Sequence, residues 1–276
     1  MTKTIFSLIL ICFCVLNTRA QTLTATYVEL ADSADYYIGK KMWREAEQVI
    51  IKALKHEPAN KSNYLLWSNL GSVREQQQNF DGAIESYTIG LSSAPKSTIL
   101  LTNRARAFLA LGRNEDALAD LDLVLQTDSL QQWPLKIRGI LNASKGKFDD
   151  ALRDFSLYKK HYGDDAGVEE VSGDIYSSQA EFDKSLKAYR NSLKIEPTEE
   201  VYVKIALISY AIGKIDEAAE DISEGIKKFP RKAELYVMRG LLNKSRYQTD
   251  AYESDIKMAK HLGIDNVFLK NLGISQ

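Results

Sequence analysis

The chain has 276 residues, and its 36 Lys and Arg against 37 Asp and Glu give a formal net charge of −1. A nearly neutral chain lacks the broad positive field that nucleic-acid binding needs, so we expect no nucleic-acid partner. Hydrophobic residues make up 45% of the chain, which is enough to bury a core and excludes wholesale disorder. The low count of five prolines favours a helix-rich chain.

Residues 1–20 have the layout of a secretory signal peptide. Lys3 supplies a positive charge near the start, and an apolar segment follows from Ile5 to Leu16. Thr18 and Ala20 then place small residues at positions −3 and −1 of a cleavage site. As a helix this segment rises only about 18 Å, against roughly 30 Å for a bilayer core. An uncleaved membrane anchor is the alternative. We predict cleavage before Gln21, a linker at residues 21–26 and no membrane-spanning segment in the mature chain.

Both cysteines of the chain, Cys12 and Cys14, lie inside this leader. The residues just before them, Ile11 and Phe13, are large, whereas a lipoprotein signal needs a small residue there. Lipid anchoring is therefore not expected. Cleavage would leave a mature chain with no thiol for a disulfide, a metal site or a nucleophile.

Small residues recur along the rest of the chain at intervals of 33 to 37 residues. The first series is Ala34, Gly71, Ala105, Gly139, Gly173, Ala206 and Gly240. A second small series follows twelve residues later, at Ala46, Ala83, Ala117, Ala151, Ser185 and Ala218. Its seventh member is Ala251, eleven residues after Gly240, which predicts a one-residue deletion in that turn. A third series is large and apolar, at Ile50, Tyr87, Leu121, Phe155, Tyr189 and Ile222, with Ile256 near the equivalent place.

Each period is interpreted as two amphipathic helices joined by a tight turn. The small residues let the two helices approach closely, and the large residue fills the gap to the next pair. Gly112, Gly146 and Gly213 stand between the two small positions in three units, where a left-handed conformation closes a helix. One unit cannot bury its own apolar face, but stacked units can. The periodicity therefore predicts an all-α repeat protein.

The second unit carries the most specific motif, which consists of Trp67, Leu70, Gly71, Ala83, Tyr87 and Pro95. This spacing resembles the tetratricopeptide repeat (TPR) family. The resemblance implies a right-handed α-solenoid of about seven helix-turn-helix repeats. We place the repeats at 27–60, 64–97, 98–131, 132–165, 166–198, 199–232 and 233–263.

Arg104, Arg138 and Arg239 replace the leucine that the family has before the first small residue. Residues 264–276 are predicted to form a short capping helix. In that helix Val267, Phe268 and Leu272 would cover the last exposed seam.

The sequence offers no constellation for catalysis. The three histidines, His56, His161 and His261, fall near the ends of second helices in different repeats. They belong to repeats one, four and seven, so several helix widths of roughly 8–10 Å separate consecutive histidines, and these side chains cannot share a metal or a triad. We expect no enzyme activity, no cofactor, no metal and no small-molecule substrate. An enzyme with an unrecognised site between helices is the alternative.

By resemblance to the family, the first helix of each unit lines a groove for a protein or peptide partner. Its candidate residues are polar in repeats two and three, at Asn69, Asn103 and Arg106. They are apolar in repeats four and six, at Trp133, Ile137, Ile140, Val203, Leu207 and Tyr210. The alternative for the apolar set is packing against neighbouring repeats, and the sequence leaves both open.

One TPR subtype binds the tails of heat-shock chaperones through a clamp of Lys, Asn and Arg. Its middle Asn matches Asn103. The other clamp positions fall on Trp133, Ile137, Ser68 and Ser72, so the clamp is largely absent.

The sequence thus predicts an exported, non-catalytic scaffold that binds a partner protein. A signal peptide followed by a cysteine-free array favours the periplasm of a Gram-negative bacterium. The alternative is a structural accessory subunit of a secretion or outer-membrane assembly machine of the cell envelope.

Overall fold

The structure, a computed structural model, describes residues 26–274. The predicted signal peptide at residues 1–20 lies outside the described residues, as do most of the predicted linker and the last two residues. Residues 26–274 contain fifteen α-helices and no strand. None of these helices is long and apolar enough to cross a membrane.

The helices follow one another with short connections. In chain order they are α1 (26–39), α2 (Trp43–His56), α3 (Asn63–Gln76), α4 (Phe80–Ser93), α5 (Thr98–Ala110), α6 (Asn114–Thr127), α7 (Gln132–Ser144), α8 (Phe148–Tyr162), α9 (Ala166–Ser178), α10 (Phe182–Ile195), α11 (Glu199–Ala211), α12 (Ile215–Lys228), α13 (Ala233–Ser245), α14 (Thr249–His261) and α15 (Asn266–Asn271).

The chain divides into two compact units, residues 1–138 and 139–276, with the boundary inside α7. In unit 1, α3 packs against α4 and α5 against α6, while α2 with α3 and α4 with α5 join successive pairs. In unit 2 the same order of contacts runs from α8 to α14. Sequential helix pairs that pack on their neighbours confirm the predicted all-α solenoid fold class.

Side-chain caps fix where several helices begin. The Asn79 and Ser97 side chains accept hydrogen bonds from the backbone N–H groups of Gly82 and Leu100, at the starts of α4 and α5. In unit 2, Asp165 and Thr198 cap α9 and α11 in the same way. Each cap satisfies a donor that has no partner within the helix.

The three residue series found in the sequence form the core. Their members from Ala34 to Ile222 are buried, and most of them are fully buried. The glycines of the first series sit directly against the rings of the third. A Cβ added at Gly71, Gly139 or Gly173 would lie 2.3–2.5 Å from the ring of Tyr87, Phe155 or Tyr189. The glycine is therefore required by the ring that packs on it.

The turn between the two helices of a unit always contains one residue with positive φ. Gly112, Gly146 and Gly213 adopt it at +69°, +72° and +76°, which confirms their predicted role. In the other four turns a residue with a side chain takes this conformation, at φ of +58° to +61°: these residues are Lys41, Gln78, Ala180 and Tyr247.

The deletion predicted in the last repeat is wrong. Tyr247, with its positive φ, comes seven residues after Gly240, as Gln78 comes seven after Gly71. The turn therefore has the common length, and Tyr252 rather than Ala251 occupies the second small position. Ile256 Cδ1 and Tyr252 Cδ2 both lie 3.5 Å from a Cβ built on Gly240. The larger tyrosine is tolerated because it is only half-buried.

The end of the chain also differs from expectation. Helix α15 covers Asn266–Asn271, and Val267 is 61% exposed instead of covering the seam. Leu269 and Ile274 are the buried residues here, and Phe268 and Leu272 pack against the same cluster. Since α15 is short, only one of its faces reaches the core.

Two of the arginines that replace the family leucine, Arg104 and Arg239, join the first and second helices of their unit through aspartates sixteen residues later. Arg104 donates from Nε and Nη2 to Asp120 at 2.8 and 2.7 Å, and Asp120 is buried. Arg239 makes the equivalent bidentate contact with Asp255 at 2.6 and 3.1 Å. A paired charge thus takes the place of an apolar contact.

Candidate functional site

A cleft of about 530 Å³ opens in unit 1 where α1, α3 and α5 lie side by side. Asn69, Asn103 and Arg106, the three polar candidates from the sequence, all line it. Trp43 and Glu75 complete its walls, together with neighbouring residues of the same helices. The phase of the repeat brings these side chains together because each first helix turns the same face to the cleft.

Core packing places a hydroxyl group against two residues that line this cleft, Glu75 and Ser72. The Tyr87 ring lies on Gly71 and is fully buried, so its orientation is fixed. Its hydroxyl donates a hydrogen bond to Glu75 Oε1 at 3.0 Å and lies 3.3 Å from Ser72 Oγ. Burial raises the pKa of Tyr87 above its ordinary value, so the hydroxyl stays protonated and acts as a donor.

The Glu75 carboxylate is only partly compensated. Burial raises its pKa, whereas the Tyr87 hydrogen bond and the positive charge of Arg106 lower it, and burial has the larger effect. The second oxygen, Oε2, accepts no hydrogen bond from residues 26–274. This is a half-buried anion with one free acceptor facing an open cleft.

Several other polar groups of the cleft are also unused. Within the described part of the chain, the side chains of Asn103 and Gln76 make no hydrogen bond. Asn69 donates to Asp35 Oδ1 at a long 3.4 Å. Arg106 is exposed, and its guanidinium lies 5.0 Å from the centre of the Trp133 ring. The cleft therefore offers amide and guanidinium donors that can bind a ligand.

The apolar candidates of α7 are half-buried. Trp133 lies under the Arg106 guanidinium, a cation–π contact that leaves only part of the ring accessible. Ile137 and Ile140 are likewise neither fully buried nor exposed. Trp133 thus lies next to Arg106, which lines the cleft from α5.

The apolar candidates of α11 pack in or against the core of unit 2. Val203 is 9% exposed and packs with Tyr202 and Leu235. Leu207 and Tyr210 pack against the buried cluster formed by α11, α12 and α13. Packing between repeats, the alternative left open by the sequence, accounts for these three residues because α13 contacts α11 directly.

Polar groups at the corresponding positions of unit 2 pair with one another. Lys204 Nζ lies 2.9 Å from Glu170 Oε1 and 2.7 Å from Asp174 Oδ1. The Tyr189 hydroxyl donates to Asp174 at 2.6 Å. A second cleft, of about 460 Å³, lies beside Lys214 and Asp183, which form an ion pair with each other at 2.6 Å. The charges named here are therefore already compensated, unlike those around Glu75.

No metal centre is evident in the described range. Among residues 26–274, no three His, Cys, Asp or Glu side chains are placed to hold a metal ion. His56, His161 and His261 lie in the last turns of α2, α8 and α14. Positive charge is favoured at that end of a helix dipole.

The sequence did not identify several residues that line the cleft, among them Trp43, Glu75 and Gln76, or the contact of Tyr87 with Glu75. A signal for Glu75 existed, since it stands three residues after Ser72 on the same face of α3. The role of Tyr87 could not be read, because the third series marks only a large core residue. Its hydroxyl reaches Glu75 only because of the register in which the ring crosses α3.

Comparisons with known proteins agree with this architecture. Residues 68–132 match the model of a tetratricopeptide repeat family. A tetratricopeptide repeat protein from Parabacteroides merdae, known from a crystal structure, is 27% identical with a TM-score of 0.62, and the match covers 90% of this chain and 97% of that one. YrrB, described as a TPR protein with an unusual peptide-binding site, is 15% identical with a TM-score of 0.59, covering 69% and 98%. The likeness to YrrB bears on the fold alone.

A curated TPR repeat-containing protein of Methanocaldococcus jannaschii is 21% identical over 209 residues, which cover 75% of this chain and 36% of that protein. The chain spans about a third of the length of the first curated relatives it matches. Residues 68–132 thus resemble tetratricopeptide repeats in sequence, and the described helical hairpins resemble repeat proteins of known structure in their fold.

Proposed function

We propose that this protein is a non-catalytic scaffold that holds a segment of a partner protein in the cleft of unit 1. The observation that carries the proposal is the set of unused donors and acceptors at Asn103, Gln76, Arg106 and Glu75. Open polar groups in a cleft between rigid helices suit the main chain and side chains of a bound peptide. A TPR scaffold for protein interaction is also what the family match supports in general.

The contrast between the units favours unit 1 as the binding site. In unit 2 the polar groups at groove positions are already paired, as Lys204 is with Glu170 and Asp174. The apolar ones, such as Val203, are covered by neighbouring helices. A ligand there would have to break existing pairs, whereas in unit 1 it would satisfy free groups.

Site-specific photo-crosslinking in cells tests this proposal. A benzophenone amino acid replaces Asn69 or Asn103 in the cleft, and Leu123 serves as the control because it is 45% exposed on α6. We expect the two cleft positions to crosslink to the same segment of one protein, identified by mass spectrometry of the adduct. Adducts from Leu123 alone, or different proteins from the two cleft positions, would refute the cleft as the site.

We also propose that the mature protein begins at Gln21 and acts outside the cytoplasm. The support is the order of charge, apolar segment and small residues in the leader. Mass spectrometry of the purified protein decides this, since an N-terminus at Met1 would contradict export by cleavage. A crosslinked partner belonging to an envelope machine would favour the accessory-subunit alternative.

A further inference from the structure

A tyrosine-held carboxylate occurs in both units, and unit 2 contains the cation that pairs with it. Tyr189 lies on Gly173 and donates from its hydroxyl to Asp174 at 2.6 Å. Lys204, from the first helix of the next repeat, pairs with that carboxylate at 2.7 and 3.0 Å. Its ammonium group also lies 5.5 Å from the centre of the Tyr189 ring.

Unit 1 has the tyrosine and the carboxylate but lacks the lysine. Tyr87 lies on Gly71 and donates to Glu75, which stands one helical turn beyond the position equivalent to Asp174. The position equivalent to Lys204, two residues before the small residue of the next repeat, is Asn103. Asn103 carries no charge and makes no side-chain hydrogen bond among residues 26–274. The position that Lys204 occupies in unit 2 is therefore taken by an uncharged residue in unit 1.

We propose that the cleft of unit 1 takes a lysine or arginine side chain of the partner segment, whose charged head pairs with Glu75 where Lys204 pairs with Asp174 in unit 2. This inference rests on the proposed function and names the chemistry of its ligand. The aliphatic stem of such a side chain would lie against Trp43 and Ile38, which line the same cleft.

The charge of Glu75 supports a cationic ligand. Burial raises the pKa of this carboxyl by more than Tyr87 and Arg106 together lower it, so its ionised form lacks stabilisation. A cation supplied by a ligand would restore that stabilisation through a charge-assisted hydrogen bond. Oε2, which is unused, is the acceptor available for it.

Arg106 does not fill this role within the chain. It stands one turn beyond Asn103 on α5, its guanidinium lies over the Trp133 ring at 5.0 Å, and it forms no ion pair with Glu75. Its positive charge lies on the Trp133 side of the cleft, while Asp35, which contacts Asn69, lies on the α1 side. On the α1 side a basic side chain would meet one anion, Asp35, and one cation, Lys41, which also lines the cleft.

The test uses three capped pentapeptides, acetyl-Ala-Leu-Xaa-Leu-Ala-amide, in which Xaa is lysine, norleucine or glutamate. Binding to the full mature chain is followed through the NMR signals of the Asn69, Gln76 and Asn103 side-chain amides. We expect the lysine peptide to bind roughly tenfold more tightly than the norleucine peptide, as for one hydrogen-bonded charge pair. The glutamate peptide should bind most weakly.

Two variants and a control assign the preference to Glu75. Glu75→Gln keeps an acceptor for Tyr87 but removes the charge, and Asn103→Lys supplies the cation from within the chain. Each should reduce the lysine preference to less than about twofold. Glu45→Gln removes an exposed charge on α2 outside the cleft and should leave the preference unchanged.

The outcomes separate this inference from the proposed function. Equal binding of the lysine and norleucine peptides, or a lysine preference that survives Glu75→Gln, would overturn the basic-side-chain inference, while amide shifts would still support the cleft as a peptide site. Absence of shifts with all three peptides also overturns the inference. The crosslinking result then decides separately whether a partner segment lies in the cleft.

Discussion

Replacing Gly71 by alanine should destabilise unit 1 through a single methyl group. The new Cβ would lie 2.3 Å from Tyr87 Cε1 and 2.5 Å from Cζ, and the fully buried ring has no space to move aside. Overpacking of this kind costs about 1–3 kcal/mol. Alanine has a better helix propensity than glycine by about 1 kcal/mol. Because the contact is so short, we expect a net loss of about 1–2 kcal/mol.

Urea unfolding followed by circular dichroism measures this loss. Gly39→Ala is the matched control, because Gly39 is exposed at the end of α1 and no atom lies within 4 Å of its added Cβ. This control should be neutral or slightly stabilising. In a Tyr87→Leu background Gly71→Ala should lose most of its effect, since the ring that it strikes is gone. A Gly71→Ala protein as stable as the unsubstituted chain would refute the account of why this position is glycine.

Three further predictions follow from contacts in the two units. Arg104→Leu should cost about 3 kcal/mol in urea unfolding because Asp120 is left buried without its partner, and adding Asp120→Leu should recover most of the loss. Tyr210→Ala should lower stability by about 1–2 kcal/mol in thermal melts, because its ring packs on the core of unit 2. The lysine peptide should bind with its highest affinity above the raised pKa of Glu75, and the affinity should fall as pH drops through that pKa, by about the tenfold that the charge pair contributes in total. NMR titrations across pH should show this fall, and in Glu75→Gln the affinity should not depend on this group.

Helix pairs could be predicted from the sequence because their packing is local and periodic. A small residue and a large one sixteen positions later, such as Gly71 and Tyr87, mark where two consecutive helices touch. The same rule predicted the left-handed turn at Gly112. The periodicity failed in the last repeat, where it assigned the second small position to Ala251 although Tyr252 occupies it. A single small residue is a weak marker in a repeat that departs from the pattern.

Contacts between repeats could not be predicted from a single sequence. By contrast, Arg104 and Arg239 pair with aspartates of their own repeat, and an aspartate sixteen residues after each arginine was a readable signal. Val203 stood at a groove position, but whether α13 covers it depends on the side chains of another repeat. The pairing of Lys204 with Asp174 likewise joins two repeats that the periodicity treats as independent.

Glycine in the four turns closed by Lys41, Gln78, Ala180 and Tyr247 would raise the free energy of unfolding. A residue with a side chain costs roughly 1 kcal/mol more than glycine in the left-handed region, so these four residues together lower the stability by roughly 4 kcal/mol. Domains are typically stable by only about 5–15 kcal/mol. Glycine at these four positions would offset the loss of a buried ion pair elsewhere. The tyrosine turn is the simplest place to begin, because that side chain is 95% exposed and supports no packing.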